Sequence, residues 1–364
     1  MSVVDVRSDI VTQPTEAMLE AMVAVGRQPR QYGYREDVDL ITLERLAAEI
    51  FQKDDALFLP TCTMANQIAL MVRCQRGTNF IVDANAHINN FEAASTIGIA
   101  GAIPRVVSDF QGHPTAEALD EALSLHQASL VWLENTHNRA GGTVLRPDRQ
   151  LELVATCRAH GVPIHVDGAR IWNAAAALGC EVSELTRDVD SISASLNKGL
   201  GVPLGAVLAG STEFIAAAEQ IQLMLGGGWR PTGIIAAAGV VALKNLSLDE
   251  LIEDHRVAHQ IAESLAKYPW MVIDASRLQT NLILVEVRED VKIDLLAELR
   301  KRGVLATPAG KGKTRLVVYR QIRAREVEAI LKVFADLDSL VDTTCGQEPL
   351  ETIDEAGPPI ASKE

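Results

Sequence analysis

Short uninterrupted apolar runs recur through the middle of the chain, and longer stretches of helical periodicity separate them. The runs include Ala56–Leu59, Phe80–Val82, Leu130–Leu133, Pro163–Val166 and Ser191–Leu196. Thr63–Gln75 and Arg149–His160 are two of the helical stretches. A strand that is apolar almost throughout is buried on both faces, as strands of parallel sheets are. Strand and helix in alternation therefore predict an α/β unit on a largely parallel sheet. Ahead of it, Pro14 can open a helix through about Val25, since proline at the first helical turn lacks only an N–H that has no partner there. A second amphipathic helix is predicted over Leu40–Gln52.

After Gly233 the pattern changes. Two long helical stretches, Ile234–Asn245 and Leu248–Lys267, lead into an apolar strand at Asn281–Val287. A helix at Ile293–Arg302, a strand at Arg315–Tyr319 and a helix at Arg323–Leu337 follow. The predicted organisation is an N-terminal arm (1–13), a large domain (14–245), a smaller C-terminal α+β domain (246–340) and a tail (341–364). The tail is polar, acidic and poor in large apolar residues, so disorder is expected there.

Composition narrows the function classes. The 364 residues are 48% hydrophobic and 23% charged, which is ordinary for a globular protein. Aromatics are only 4%, so aliphatic side chains must do most of the packing. The net charge of −14 argues against broad attraction to nucleic acid or to an anionic membrane. No apolar run is long enough to span a bilayer. The opening MSVVDVRSDI carries charges where a secretory signal has its apolar core. The five cysteines are odd in number and form no CxxC, so neither a disulfide framework nor a cysteine zinc site is expected. A reducing cytoplasm fits that usage.

Two positions carry the candidate chemistry. Asp167 follows the run Pro163–Val166, and Lys198 follows Ser191–Leu196. Both fall at the carboxyl ends of predicted parallel strands, where α/β sheets bind ligands. Such a pair suits pyridoxal phosphate, which needs a lysine amine for its Schiff base and a carboxylate to keep its ring nitrogen protonated. Without further context an Asp and a Lys at strand ends read as a weak surface ion pair. Gly199 and Gly201 favour the first reading, because they free the backbone to turn the lysine inward. Thr61-Cys62-Thr63 follows a strand and opens a helix. A helix N-terminus there offers N–H groups and a dipole to a phosphate, although Thr63 is also placed to serve as a plain N-cap. Gly310–Thr314 imitates the end of a P-loop, but Thr307 stands where its first glycine belongs. No histidine spacing suggests a metal site.

Collinear motifs extend this reading. D-x-R-S-D occurs at Asp5–Asp9, followed by Tyr32-Gly33, T-M-x-N-Q at Thr63–Gln67 and A-H-I at Ala86–Ile88. L-E-N-T-H-N lies at Leu133–Asn138 and H-x-D-G-A-R at His165–Arg170. N-K-G-L-G at Asn197–Gly201 and L-G-G-G-x-R at Leu225–Arg230 complete the set. With these the chain resembles the threonine aldolases of the β-eliminating lyase group, from Asp5 to about Leu337. The resemblance implies a pyridoxal-phosphate enzyme of the aspartate-aminotransferase fold (fold type I). That fold has a large domain on a mainly parallel seven-stranded sheet and a smaller α+β domain. Lys198 would form the Schiff base and Asp167 would partner the pyridine nitrogen. Thr61, Cys62, Thr63, Arg170 and Arg230 would lie on the cofactor side, with Arg230 near the phosphate and the subunit interface. His87 would stack on the cofactor ring close to the substrate hydroxyl, with His137 as a second active-site histidine. Ser8, Arg170 and Arg315 would hold the substrate carboxylate, for which an arginine fork is well shaped. Tyr32 would lie on the substrate side.

The implied reaction cleaves L-β-hydroxy-α-amino acids such as threonine, allo-threonine or phenylserine to glycine and an aldehyde. Elimination of a β-substituent is the alternative. A non-catalytic cofactor-binding protein is disfavoured by the presence of Lys198, Asp167, His87 and both arginines. A homodimer or homotetramer with the site at the dimer interface is implied. The chain departs from the family pattern at Cys62 and Leu223, where glycine and lysine are usual, and over Tyr34–Asp37.

Overall fold

The computed structural model describes residues 3–29, 36–107, 111–310 and 312–345. Its strands are β1 (Val4–Asp5), β2 (Asp55–Leu59), β3 (Asn79–Asp83), β4 (Ile103–Val107), β5 (Ala128–Glu134), β6 (Ile164–Gly168), β7 (Ser191–Ser195) and β8 (Ala206–Gly210). Further along are β9 (Met271–Val272), β10 (Leu282–Val287), β11 (Val304–Leu305), β12 (Thr307–Pro308) and β13 (Lys313–Val317). The main sheet has seven strands in the order β2-β8-β7-β6-β5-β3-β4. Only β8 opposes its neighbours. The carboxyl ends of β2, β3, β5, β6 and β7 therefore share one edge. This is the type I fold expected from the resemblance.

Each predicted apolar run of the middle region lies in a strand of this sheet. Two strands were not anticipated. β4 is an edge strand with Pro104, Arg105 and exposed Ile103 and Val106, a mixed pattern that edge positions tolerate. β8 is fully buried but short and made largely of small residues. β7 also differs from a uniformly apolar strand. Ile192 and Ala194 pack in one core, while Ser193 donates to Asn66 Oδ1 at 2.7 Å and Ser191 bonds His165 Nδ1 at 2.9 Å. The serines thus run a buried polar ladder toward the sheet's carboxyl edge.

The sheet separates two apolar cores. One holds Phe51, Val166, Trp172 and Ile192, and the other Leu59, Ile68, Phe80 and Trp132. A second sheet, β12-β13-β10-β9, is antiparallel and packs Ile283, Val285 and Leu316 against Phe334 and Leu337. The N-terminal arm joins this smaller core. β1 pairs in parallel with β11, Val4 and Val6 are buried there, and the Tyr319 hydroxyl donates to the Asp5 carbonyl at 2.8 Å. The helix Asp249–Leu265 gives Leu251 to the large core and Val257 and Ile261 to the small one.

The expected tail begins too early. The last helix, Ala324–Cys345, continues past 340, and Val341 is buried in the small core. One more apolar residue at helical spacing is enough to extend it. The rest of the expected tail, 346–364, lies outside the described residues. No helix among the described residues is long and apolar enough to cross a membrane.

Trp172 is fully buried, stacks near Phe51 with centroids 5.4 Å apart, and donates from Nε1 to the Ser195 carbonyl at 2.8 Å. Trp172→Ala should lower unfolding stability by about 3–5 kcal/mol, as read from urea denaturation. A loss below ~1 kcal/mol would show that the site relaxes without a cavity.

Candidate active site

The residues singled out in the sequence converge at the carboxyl edge of the main sheet. Ser8, Thr61, Cys62, Thr63, His87, Asp167, Arg170, Lys198 and Arg315 line one cavity of about 400 Å³. Ser8 comes from the arm and Arg315 from β13 of the small sheet, so both cores contribute to its walls. A separate, mainly apolar cavity of about 180 Å³ contains Leu223 together with Leu40, Phe58 and Trp229. It holds none of the candidate residues.

On one side of the main cavity the groups suit a phosphorylated, ring-nitrogen ligand. Asp167 is the penultimate residue of β6 and is buried. Its Oδ2 accepts from Asn66 Nδ2 at 2.8 Å and its Oδ1 from the Ala169 N–H at 3.0 Å. Because Asn66 is itself held by Ser193, the ladder on β7 sets the direction of this carboxylate. Lys198 leaves β7 through a turn with Gly199 at φ +76° and Gly201 at φ +80°. At Gly201 a Cβ would lie 2.7 Å from the Gln13 carbonyl oxygen, so glycine is required there. The Lys198 ammonium makes no hydrogen bond or ion pair among the described residues.

The helix Cys62–Arg73 begins at the same cavity, and the capping residue differs from the one expected. Thr61, not Thr63, is the N-cap, and its Oγ1 accepts from the Met64 N–H at 3.1 Å. Asn66 and Gln67 face inward from this helix; register along it leaves Thr61 at the strand exit, in the extended backbone a cap requires. The Thr63 hydroxyl and the Cys62 and Thr63 N–H groups remain for an anion. Burial, together with the Asp167 carboxylate 4.0 Å away, pushes the Cys62 thiol up, so it is a neutral group. An unpaired amine, a fixed carboxylate and a helix N-terminus on one cavity fit pyridoxal phosphate.

Two arginines also line the cavity. Arg170 is buried and forked onto Asp9, with Nε and Nη2 each donating at 2.8 Å. Burial opposes the charge on Asp9, but Arg170 outweighs it and holds the carboxyl below its ordinary range. Arg170 Nη1 and Arg315 Nη1 both donate to Asn138 Oδ1, at 3.3 and 2.8 Å. Burial and the neighbouring Arg170 charge lower Arg315 to about 10. Arg315 Nε and Thr136 Oγ1 are buried without partners. Unpaired polar atoms in a cavity wall mark a place for a ligand.

His87 begins the short helix His87–Asn90, and its Nδ1 lies 2.8 Å from Glu92 Oε1. Burial lowers its pKa, but Glu92, Asp167 and Glu134 outweigh that and raise it. When Nδ1 carries the proton and donates it to Glu92 Oε1, Nε2 of the neutral ring is an acceptor.

Three expected residues are not in this group. His137 does not line the cavity. Its ring is fully buried, Nε2 lies 3.1 Å from Asp83 Oδ1, and Nδ1 accepts from the Ala140 N–H at 3.2 Å. Both ring nitrogens are therefore occupied in holding the loop after β5. Arg230 is exposed in the bend after the helix Thr212–Met224 and is not among the lining residues. Tyr32 lies outside the described residues.

The family model for beta-eliminating lyases matches residues 5–290. The low-specificity L-threonine aldolase of Escherichia coli K12 is 39% identical over 347 residues, covering 91% of this chain and 99% of that one. The low-specificity L-threonine aldolase 1 of Arabidopsis thaliana is 35% identical over 346 residues, covering 92% and 96%. The chain belongs to the beta-eliminating lyase family. Solved structures agree in fold. The threonine aldolase of Leishmania major superposes with a TM-score of 0.77 at 18% identity, over 92% of this chain and 99% of that one. A serine palmitoyltransferase of Sphingomonas wittichii gives 0.73 at 16%, over 94% and 88%.

Several site residues of this beta-eliminating lyase family member had no role from sequence. Asp9, Asn66, Glu134, Thr136 and Asn138 all sit inside the quoted motifs, so motif membership was their only signal. Glu92 lies outside every motif and gave none.

The Asp9–Arg170 pair yields a test. Asp9→Asn should cost about 3–5 kcal/mol at neutral pH, because it strands a buried guanidinium. The folded carboxyl titrates below its ordinary value of 3.8, so the pair's contribution is present above that pH and is lost as the pH falls through the folded value. Urea denaturation at neutral and acid pH should show the gap between wild type and variant narrowing in acid.

Proposed function

We propose that this chain is a pyridoxal-phosphate-dependent aldolase. It cleaves L-β-hydroxy-α-amino acids, with threonine and allo-threonine as reference substrates, to glycine and an aldehyde. One observation carries the reading: an imidazole with a free Nε2, an unpaired lysine and a carboxylate-binding arginine pair open onto the same cavity. The aldolase names of relatives matched over nearly their whole length support it.

Lys198 would hold the cofactor, and Asp167 would pair with its ring nitrogen. Thr61, Cys62, Thr63 and the helix N-terminus receive its phosphate. When bound, the cofactor supplies an electron-accepting ring that stabilises negative charge at Cα. Arg315, through its unpaired Nε, binds the substrate carboxylate together with Arg170 Nη1 and Ser8. Arg170 contributes one edge only, since its fork is taken by Asp9. His87 Nε2 accepts the β-hydroxyl proton as the Cα–Cβ bond breaks and the aldehyde leaves, and a proton delivered to Cα completes glycine. Glu92 stabilises the imidazolium so formed. We assign the base to His87 and give His137 the task of holding its loop.

The chain acts as a homodimer or homotetramer. Exposed Leu223 and Met224 support this, and Arg230 then serves a neighbouring copy's phosphate, with Tyr32 on the substrate side. The cytoplasm is its compartment, in keeping with the free thiols of Cys62, Cys74, Cys157 and Cys180.

Product analysis on L-threonine, L-allo-threonine and phenylserine tests the reaction. Glycine and aldehyde should form in equal amounts, and Lys198→Ala should abolish both turnover and the visible absorbance of the lysine-bound cofactor. Ammonia and a keto acid without glycine would replace this reading with β-elimination. A second test concerns pH. The base works only when neutral, so kcat/KM should rise with pH through the elevated His87 value. Glu92, Asp167 and Glu134 all face His87 and raise that value. Glu92→Gln removes one of these charges and should move the acid limb to lower pH.

A further inference from the structure

Glu134 ends β5, opposite Asp167 on β6. It is buried and lines the cavity. Glu134 forms no salt bridge among the described residues, although it acts at longer range on His87, His137 and Arg170. Its oxygens go to two main-chain donors instead. Oε2 accepts the His87 N–H at 2.6 Å, and Oε1 accepts the Asn138 N–H at 2.8 Å. These donors belong to two different parts of the site. His87 carries the imidazole, and Asn138 carries the carbonyl oxygen shared by Arg170 and Arg315.

We propose that Glu134 is a positioning residue that fixes the spacing between the His87 imidazole and the Arg170–Arg315 pair. The hydroxyl and the carboxylate of one amino acid are then met together. This rests on the reading of the site given above. A carboxylate suits this place. It offers two strong acceptors to two N–H groups, whereas an amide of the same shape has one acceptor oxygen and an NH2 that would face a donor. Glutamine therefore releases one segment while filling the same volume.

The test uses the cofactor-loaded enzyme. Glu134→Gln should lower kcat/KM for L-threonine about tenfold or more, through both a higher KM and a lower kcat. Asn138→Ala acts only at the arginine end and should raise KM more than it lowers kcat. Glycine lacks the hydroxyl, so its affinity, read from the cofactor's visible absorbance, isolates the carboxylate end. Each single variant should weaken glycine binding, and the double variant should weaken it by less than the product of the two. Cofactor content should stay near wild type, and the kinetic losses should not track any fall in melting temperature. Wild-type kcat and KM in Glu134→Gln would overturn the proposal. So would independent effects in the double variant, or losses that simply follow melting temperature and cofactor content. If Glu134→Gln does not fold, Glu134→Asp takes its place: it keeps both acceptors but shortens the reach, and wild-type kinetics there would equally overturn the idea. If the wild type releases no glycine from any β-hydroxy amino acid, the functional reading fails, while the glycine-binding cycle still decides the role of Glu134.

Discussion

A buried ion pair between Asp9 and Arg170 holds the site's parts in one frame. Taking both ions out of water costs several kcal/mol each, and only a close, well-oriented pair offsets this. The forked geometry at 2.8 Å supplies that pair. Asn281 adds a bond from the small sheet, donating to Asp9 Oδ2 at 3.3 Å and to the Val318 carbonyl at 2.8 Å. The N-terminal arm, the end of β6 and the small core are thereby fastened at one point. Ser8 and Arg315 reach the cavity because of it.

The charges around that point form an alternating set. Asp9, Glu92, Glu134 and Asp167 stand among Lys198, Arg170, Arg315 and His87. A zwitterionic amino acid suits such a mosaic, because each end finds an opposite partner within one cavity. The net charge of −14 sums over the whole chain and says nothing of this arrangement.

Much of this was legible in the sequence because burial on both faces writes a strand as an apolar run. The same logic fails where a strand is an edge, as β4 is, or carries a polar ladder, as β7 does. The catalytic-looking lysine and aspartate were legible because they follow such runs. Glu92 and the pairing of Glu134 with two backbone N–H groups were not, since both depend on where separate loops meet in space. His137 shows the converse. A histidine inside a strong motif sits behind the cavity wall, because Asp83 and the Ala140 N–H claim its nitrogens. Thr61 replaced Thr63 as the cap for a local reason: the extended backbone that caps a helix falls at the strand exit.

The pairing of β1 with β11 has a consequence for how the protein comes to exist. The cavity is built from residue 8 at one end of the chain and residue 315 near the other. Contacts so distant in sequence close late, because the loop entropy must be met before they form. During synthesis the main sheet can gather its strands while the small core is still missing its last helix. Amino acid recognition is thus a property of the finished chain, since a complete central sheet alone supplies Arg170 but not Arg315.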